Sequence, residues 1–327
     1  MQTRPIPHTD LTPSVLCLGA GDLGGSIDRP AAFALLDAFH EAGGTFIDTA
    51  KVYSDWLPGE KSRSEKTIGA WLKERRCRAA VIIATKGAHP ELNSMHIPRL
   101  SPAEITADLE ASLRHLGVET IDLYYLHRDD PARPVAEIIE TLEAQARAGK
   151  IRAYGCSNWR PERIRAAQSY AAAQGYAGFC ANQPLWNFAR IDAANVADPT
   201  LAVMDGPMWA LHHETGLACV PYSAQANGFF HKLLAGRVEQ LSPFQRRMYL
   251  TDENRARAAR LAQFQARSGL TVTQIILGYL LSQPFPTFPI VGCHTLEHLR
   301  DTLAAAGTRL DAPDLAFLDG RDETNHP

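Results

Sequence analysis

The sequence predicts a single-domain (β/α)8 barrel of the TIM type, on three observations. Short, apolar, β-rich runs alternate with longer segments of helical periodicity, the alternation repeats eight times, and 327 residues suit one α/β barrel. Eight parallel strands, each followed by a helix, are expected to close rather than stay open, because closure removes both sheet edges.

Taken in order, the strand-like runs cover residues 15–19, 45–48, 80–86, 121–127, 153–157, 178–183, 217–222 and 287–291. Helical segments fall at 30–42, 64–74, 102–116, 135–148, 161–173 and 207–214, with a longer pair over 252–282 and a last one at 295–306. Gly43 and Gly149 stand where helices end, since glycine accepts the left-handed closing conformation. Ser64, ahead of Glu65 and Ile68, reads as an N-cap, and Ser101-Pro102-Ala103-Glu104 reads as a capping box with proline in the first turn. Residues 187–205 after strand six and 226–250 after strand seven exceed ordinary connections, and both belong to the same end of the barrel. The domain is expected to span residues 1–327, ending in a short tail over about 311–327.

Composition is globular, with 45% hydrophobic and 21% charged residues. The 33 basic and 36 acidic residues are mixed along the chain, for a net charge of −3, so no basic stripe suits a nucleic acid. Met1-Gln2-Thr3-Arg4-Pro5 lacks a signal-peptide core, and no stretch reaches the roughly 20 apolar residues of a membrane span. A cytoplasmic protein is expected. The six cysteines lie far apart with no Cys-x-x-Cys pair and read as reduced core residues; no metal site is expected. No sequence feature sets an oligomeric state.

Asp48, Lys86 and His127 close the second, third and fourth strands, and Tyr53 follows Asp48 by five residues, at the end where barrel enzymes keep their chemistry. Reduction of a carbonyl needs a proton donor for the developing alkoxide, and a phenol with its usual pKa of ~10 is sluggish in that role. An ammonium beside it lowers that pKa, and a carboxylate keeps the buried ammonium charged and aimed; Lys86 and Asp48 suit those parts. A histidine on the next strand can hydrogen-bond the substrate carbonyl, which suits His127. Each residue alone has an ordinary reading as a cap, a surface charge, a loop aromatic or a core histidine. Their arrival together at one end of three successive strands favours the chemical reading.

Thr45-Phe46-Ile47-Asp48-Thr49-Ala50-Lys51-Val52-Tyr53, Ala84-Thr85-Lys86 and Asp122-Leu123-Tyr124-Tyr125-Leu126-His127 resemble the tetrad segments of the aldo-keto reductase superfamily in order and spacing. The likeness extends to Ser64-Glu65, the run from Gly149 to Asn158, Asn182-Gln183, Tyr222-Ser223 and Ile290-Val291-Gly292, nearly the whole chain. The resemblance implies Tyr53 as general acid, supported by Lys86 and Asp48, with His127 positioning the carbonyl. It assigns Ser157, Asn158 and Gln183 to a nicotinamide carboxamide and Tyr222 to its ring. It also groups Gly21, Asp22, Asp48, Ser223, Gln225, Gly292, His294, Thr295 and His298 with the cofactor. Gly19-Ala20-Gly21-Asp22-Leu23-Gly24 matches a Rossmann fingerprint, but the companions of Asp48 explain the next strand's acid better than a ribose contact does.

The sequence departs from the family after Gly292. Many NADPH-using members carry an arginine in the following helix, because guanidinium matches the 2′-phosphate bidentately. Here the segment reads Cys293-His294-Thr295-Leu296-Glu297-His298. NADPH is the family default and NADH stays open. Leu23, Trp56, Arg128 and Trp186 are candidate substrate contacts, and the charged run Arg128-Asp129-Asp130 suggests a polar, sugar-like aldehyde. Two rival classes stand beside this reading: a Schiff-base lyase with Lys86 as nucleophile, and a cofactor-sensing interaction protein of low turnover.

Overall fold

A computed structural model of the protein describes residues 1–321; residues 322–327 of the expected tail lie outside them. The chain runs β1 (Cys17–Gly19), α1 (Arg29–Glu41), β2 (Phe46–Asp48), α2 (Arg63–Arg75), β3 (Ile82–Gly87), α3 (Pro102–Leu116), β4 (Ile121–Leu126) and α4 (Val135–Arg147). It continues through β5 (Ile151–Ser157), α5 (Pro161–Gln174), β6 (Ala181–Gln183), α6 (Gly206–Thr215), β7 (Ala218–Cys219), α7 (Phe229–Leu234) and α8 (Pro243–Tyr249). The last elements are α9 (Asp252–Ser268), α10 (Val272–Leu281), β8 (Ile290–Val291), α11 (Leu296–Ala304) and α12 (Ala312–Asp319).

The strands are all parallel, in the order β7-β6-β5-β4-β3-β2-β1-β8. The two ends meet: the Cys219 N–H donates to the Pro286 carbonyl at 2.8 Å, and the Ile290 N–H donates to the Pro221 carbonyl at 2.9 Å. The sheet is thus a closed (β/α)8 barrel, as expected. β7 and β8 are shorter than the apolar runs suggest, because Pro221 and Pro289 lack the N–H that a ladder needs.

Register places Asp48 opposite both Gly19 and Ala84, and Ser157 opposite Gln183, so the polar residues that close the strands collect at one mouth. Phe46, Leu123, Tyr125, Val220, Phe288 and Ile290 fill the interior, and the rings of Phe46 and Phe288 meet edge-on at 6.0 Å. Ile6 and Leu11 join that interior cluster from an N-terminal hairpin, in which Ile6 N–H donates to the Leu11 carbonyl at 2.9 Å. Burying these side chains removes apolar area from water at roughly 25 cal/mol per Å².

Helix ends follow local chemistry. Ser101 and Glu104 form the expected capping box on α3, and Gly43 and Gly149 take φ values of 80° and 74° just past α1 and α4. Ser64 is not the cap of α2. It lies inside the helix, and its hydroxyl donates to the Ala20 carbonyl at 2.6 Å, tying α2 to the loop after β1. Residues 226–250 are not one long loop, because they hold α7 and α8; Ser242 and Gln245 form a capping box that starts α8. Within the expected tail, α12 is anchored where Asp319 accepts from Arg257 at 3.0 Å and from the Tyr279 hydroxyl at 2.9 Å. All six cysteines are free, and five are buried. Among the described residues no helix is long and apolar enough to cross a membrane, and no group of side chains could hold a metal ion.

Candidate active site

Strand register brings Asp48 on β2 and Lys86 on β3 side by side, buried at the mouth of the barrel. The Lys86 ammonium donates to Asp48 Oδ2 at 2.6 Å, to the Thr49 carbonyl at 2.9 Å and to the Tyr53 hydroxyl at 3.0 Å, which uses all three of its protons. The second Asp48 oxygen accepts from Gln183 Nε2 at 2.7 Å. Tyr53 is held in place by its loop, where the Lys51 N–H donates to the Lys86 carbonyl and the Tyr53 N–H to that of Ala50. The His127 ring meets the Tyr53 ring edge-on at 5.8 Å.

Burial disfavours the Lys86 ammonium, but the charge of Asp48, the neighbouring Tyr53 oxygen and their hydrogen bonds outweigh it and hold the amine above its ordinary value. Tyr53 corrects one expectation. Burial raises its phenol above the usual range and Asp48 adds to the rise, while Lys86 only pulls in the opposite direction. Tyr53 is therefore a neutral phenol that still carries its proton at physiological pH. Burial, followed by His89, Arg128 and Lys86, drives His127 well below the usual histidine range, so its imidazole is neutral. The His127 Nδ1 is buried and unpartnered, which leaves Nε2 as the ring nitrogen able to meet a substrate.

Asn158, at φ 63°, is the hub of the neighbouring cluster. It donates from Nδ2 to Ser157 Oγ at 3.0 Å, and its Oδ1 accepts from the Tyr222 hydroxyl at 2.7 Å. Ser157 Oγ donates to the Gln183 carbonyl at 3.0 Å, while Gln183 Oε1 is buried with no partner. A buried orphan acceptor is costly unless something donates to it, and a carboxamide N–H is a fitting donor. Ser223 turns the chain after β7 at φ 56°, and Gln225 reaches across to Thr302 Oγ1 at 3.0 Å. Gly21 accepts from Ser54 Oγ through its carbonyl at 3.0 Å. Asp22 lies 3.5 Å from His294 Nε2, so the loops after β1 and β8 face each other. Thr295 caps α11 by accepting the His298 N–H at 3.2 Å, and Gly292 and His298 are exposed.

Of the candidate substrate contacts, Trp56 stands 6.4 Å from the Tyr53 ring and is 55% exposed. Arg128 is buried beside His127: it donates to the His127 carbonyl and to Thr200 Oγ1, both at 3.0 Å, and lies 3.5 Å from Asp198. Leu23 lies within the hydrophobic core, and Trp186 packs against Phe285 at 6.1 Å. His89, three residues beyond Lys86, was not singled out by the sequence, although its ring lies 4.7 Å from that of His127. Its only signal was proximity to the lysine that closes β3.

A closed α/β barrel with a buried lysine–carboxylate pair beneath a tyrosine at its C-terminal mouth has the architecture of a barrel enzyme. The family model described as "Aldo/keto reductase family" matches residues 15–323, and the chain belongs to that family. It is an NAD(P)H-dependent oxidoreductase, of a family that acts on small carbonyl compounds. A norsolorinic acid reductase of Emericella nidulans is 31% identical over 93% of this chain and 77% of its own. An oxidoreductase of Bacillus subtilis, YrpG, is 29% identical over 97% and 95%, and an aryl-alcohol dehydrogenase [NADP(+)] of Phanerodontia chrysosporium is 28% identical over 95% and 83%.

Proposed function

We propose that the protein reduces an aromatic aldehyde or ketone to the alcohol with NADPH, using Tyr53 as the general acid. The carrying observation is that one buried ammonium, Lys86 Nζ, is bonded at once to Asp48 and Tyr53. The cofactor, when bound, supplies hydride to the carbonyl carbon. His127 Nε2 orients the carbonyl, and the Tyr53 hydroxyl gives its proton to the carbonyl oxygen as charge develops there. Lys86 then faces the phenolate, lowering the cost of that transfer, and Asp48 keeps Lys86 charged. Gln183 Oε1, Ser157 and Asn158 are the groups suited to hold the nicotinamide carboxamide, Tyr222 to flank its ring, and Ser223, Gln225, His294, Thr295 and His298 to line the remainder.

An aromatic carbonyl suits the site better than the polar, sugar-like aldehyde that Arg128-Asp129-Asp130 suggests. The charges that motivated that reading are engaged elsewhere, Arg128 with Thr200 and Asp198, and Asp129 with Arg163 at 3.0 Å. The exposed Trp56 indole stands beside Tyr53, and three relatives bear the name aryl-alcohol dehydrogenase. A Schiff-base role for Lys86 needs its neutral amine, which Asp48 opposes.

Binding of NADPH and NADH, read by quenching of tryptophan fluorescence, and turnover of aromatic aldehydes test this proposal in wild type and Tyr53→Phe. Retained binding with reduction lowered by about 10²–10⁴-fold in the variant is expected. Unchanged turnover in Tyr53→Phe would sink the assignment, and tight cofactor binding without turnover in wild type would favour the cofactor-sensing alternative.

A further inference from the structure

Next to His127 the site carries a second histidine with a fixed orientation. His89 is only 9% exposed, and its ring meets that of His127 at 66° with centroids 4.7 Å apart. Its backbone is held from two sides. Ala88 donates its N–H to Asp108 Oδ2 at 2.9 Å, and Arg99 donates to the His89 carbonyl at 3.0 Å while pairing with the same Asp108. Ala88 sits at φ 58°, a left-handed conformation that costs a residue with a Cβ about 1 kcal/mol. The anchoring by Asp108 and Arg99 keeps that turn in place and sets His89 against His127.

The proton on His89 follows from its partner. Nδ1 lies 2.6 Å from the Pro90 carbonyl, which can only accept, so Nδ1 carries the hydrogen and Nε2 a lone pair. Burial, then Arg128, lower its pKa to about 4 against the smaller pull of Pro90 and Asp198, with Arg99 adding to the fall; the ring is neutral at physiological pH. Among the described residues the Nδ1 contact is the one hydrogen bond of the His89 ring. Two adjacent imidazoles, with centroids 4.7 Å apart, therefore offer different chemistry: His127 the nitrogen assigned to the carbonyl, and His89 an acceptor.

We infer that His89 Nε2 is a second recognition point, accepting a hydrogen bond from a hydroxyl borne near the substrate carbonyl. The enzyme thereby prefers hydroxylated aromatic carbonyl compounds over analogues of the same shape that lack the donor. The inference rests on the carbonyl-reduction reading above. A single neutral hydrogen bond is worth about 1 kcal/mol, which corresponds to a preference of roughly five- to tenfold.

The test compares kcat/KM for ortho- and meta-hydroxybenzaldehyde with their fluoro counterparts, in wild type, His89→Leu and His89→Gln. Wild type is expected to favour the hydroxy compound in at least one pair, His89→Leu to bring that ratio near one, and His89→Gln, which keeps an acceptor, to retain part of it. A wild-type ratio of one or below in both pairs overturns the inference without recourse to any variant, and so does a preference that survives His89→Leu. Fluoro compounds reduced with no hydroxyl preference remove this inference alone. Failure of wild type to reduce any of the four removes the carbonyl-reduction reading and this inference with it.

Discussion

Lys86 Nζ lies 2.6 Å from Asp48 Oδ2, and neither side chain is more than 2% exposed. Two charges withdrawn this far from water gain little net stability from each other, because desolvation offsets their attraction. Removing one partner is a different matter. Asp48→Asn leaves Lys86 charged without a counter-ion and is expected to cost about 3–5 kcal/mol, read as a lower midpoint in urea. Reduction falls with it, since the Lys86 ammonium loses the carboxylate that aims it at Tyr53. An Asp48→Asn protein as stable as wild type would show that the pair is not the electrostatic unit its geometry indicates.

Acid should loosen the fold before most carboxylates titrate. His89 and His212 are each lowered to about 4, and His127 lies well below 6.5, all principally through burial. The unfolded chain binds protons on these rings near pH 6.5, and the folded one does not. Their contribution is complete above pH ~6.5, and is lost as pH falls toward 4, at up to ~1.4 kcal/mol per pH unit for each ring. Urea midpoints at pH 7, about 5.5 and about 4.5 are expected to fall steeply, and a flat profile over that interval contradicts the buried neutral state of these histidines.

The legibility of the site has a physical basis. Asp48, Lys86 and His127 each end an apolar run, and in a parallel barrel that position alone fixes which mouth a side chain serves. The strands were visible for the same reason, apart from those shortened by Pro221 and Pro289. A serine ahead of a glutamate is a local cap signal, whereas the Ser64 hydroxyl serves a carbonyl 44 residues away in sequence. The Gln183–Asp48 bond, the hairpin that plugs the barrel and the approach of His89 to His127 are likewise long-range contacts. No periodicity records them. The helices α7 and α8 are a different case, since Ser242 and Gln245 carried a readable capping box within what length alone suggested was a loop.

Arg128 connects the chemistry to the long segment over 187–205. One guanidinium donates to the His127 carbonyl and to Thr200 Oγ1 and pairs with Asp198, so it ties the end of β4 to that segment. Arg128→Met keeps the aliphatic stem and deletes the donors. Faster amide hydrogen exchange across 187–205 is expected, with kcat/KM lower by about ten- to a hundredfold from misplacement of His127. Because Arg128 is among the charges lowering His127, the variant's His127 should titrate at higher pH by NMR. Unaltered exchange in 187–205 would separate that segment from Arg128 altogether.

His294 offers a test of the cofactor preference. Its ring lies 3.5 Å from Asp22 and is exposed, just ahead of α11, the helix in which the family resemblance leads one to expect an arginine. If that segment holds the 2′-phosphate of NADPH, His294→Arg adds a permanently charged, bidentate donor, and a charge-assisted bond is worth about 1.5–3 kcal/mol. NADPH affinity should then rise by at least about tenfold while NADH affinity barely moves, because NADH has no phosphate there. Asp22 competes for the new guanidinium, so Asp22→Asn combined with His294→Arg should raise NADPH affinity further. Dissociation constants from tryptophan quenching, taken at low and high salt, separate the possibilities. A gain for NADPH that salt erodes places the phosphate at His294. An equal gain for both nucleotides places residue 294 beside a group they share, and the choice between them would then be made elsewhere in the barrel mouth.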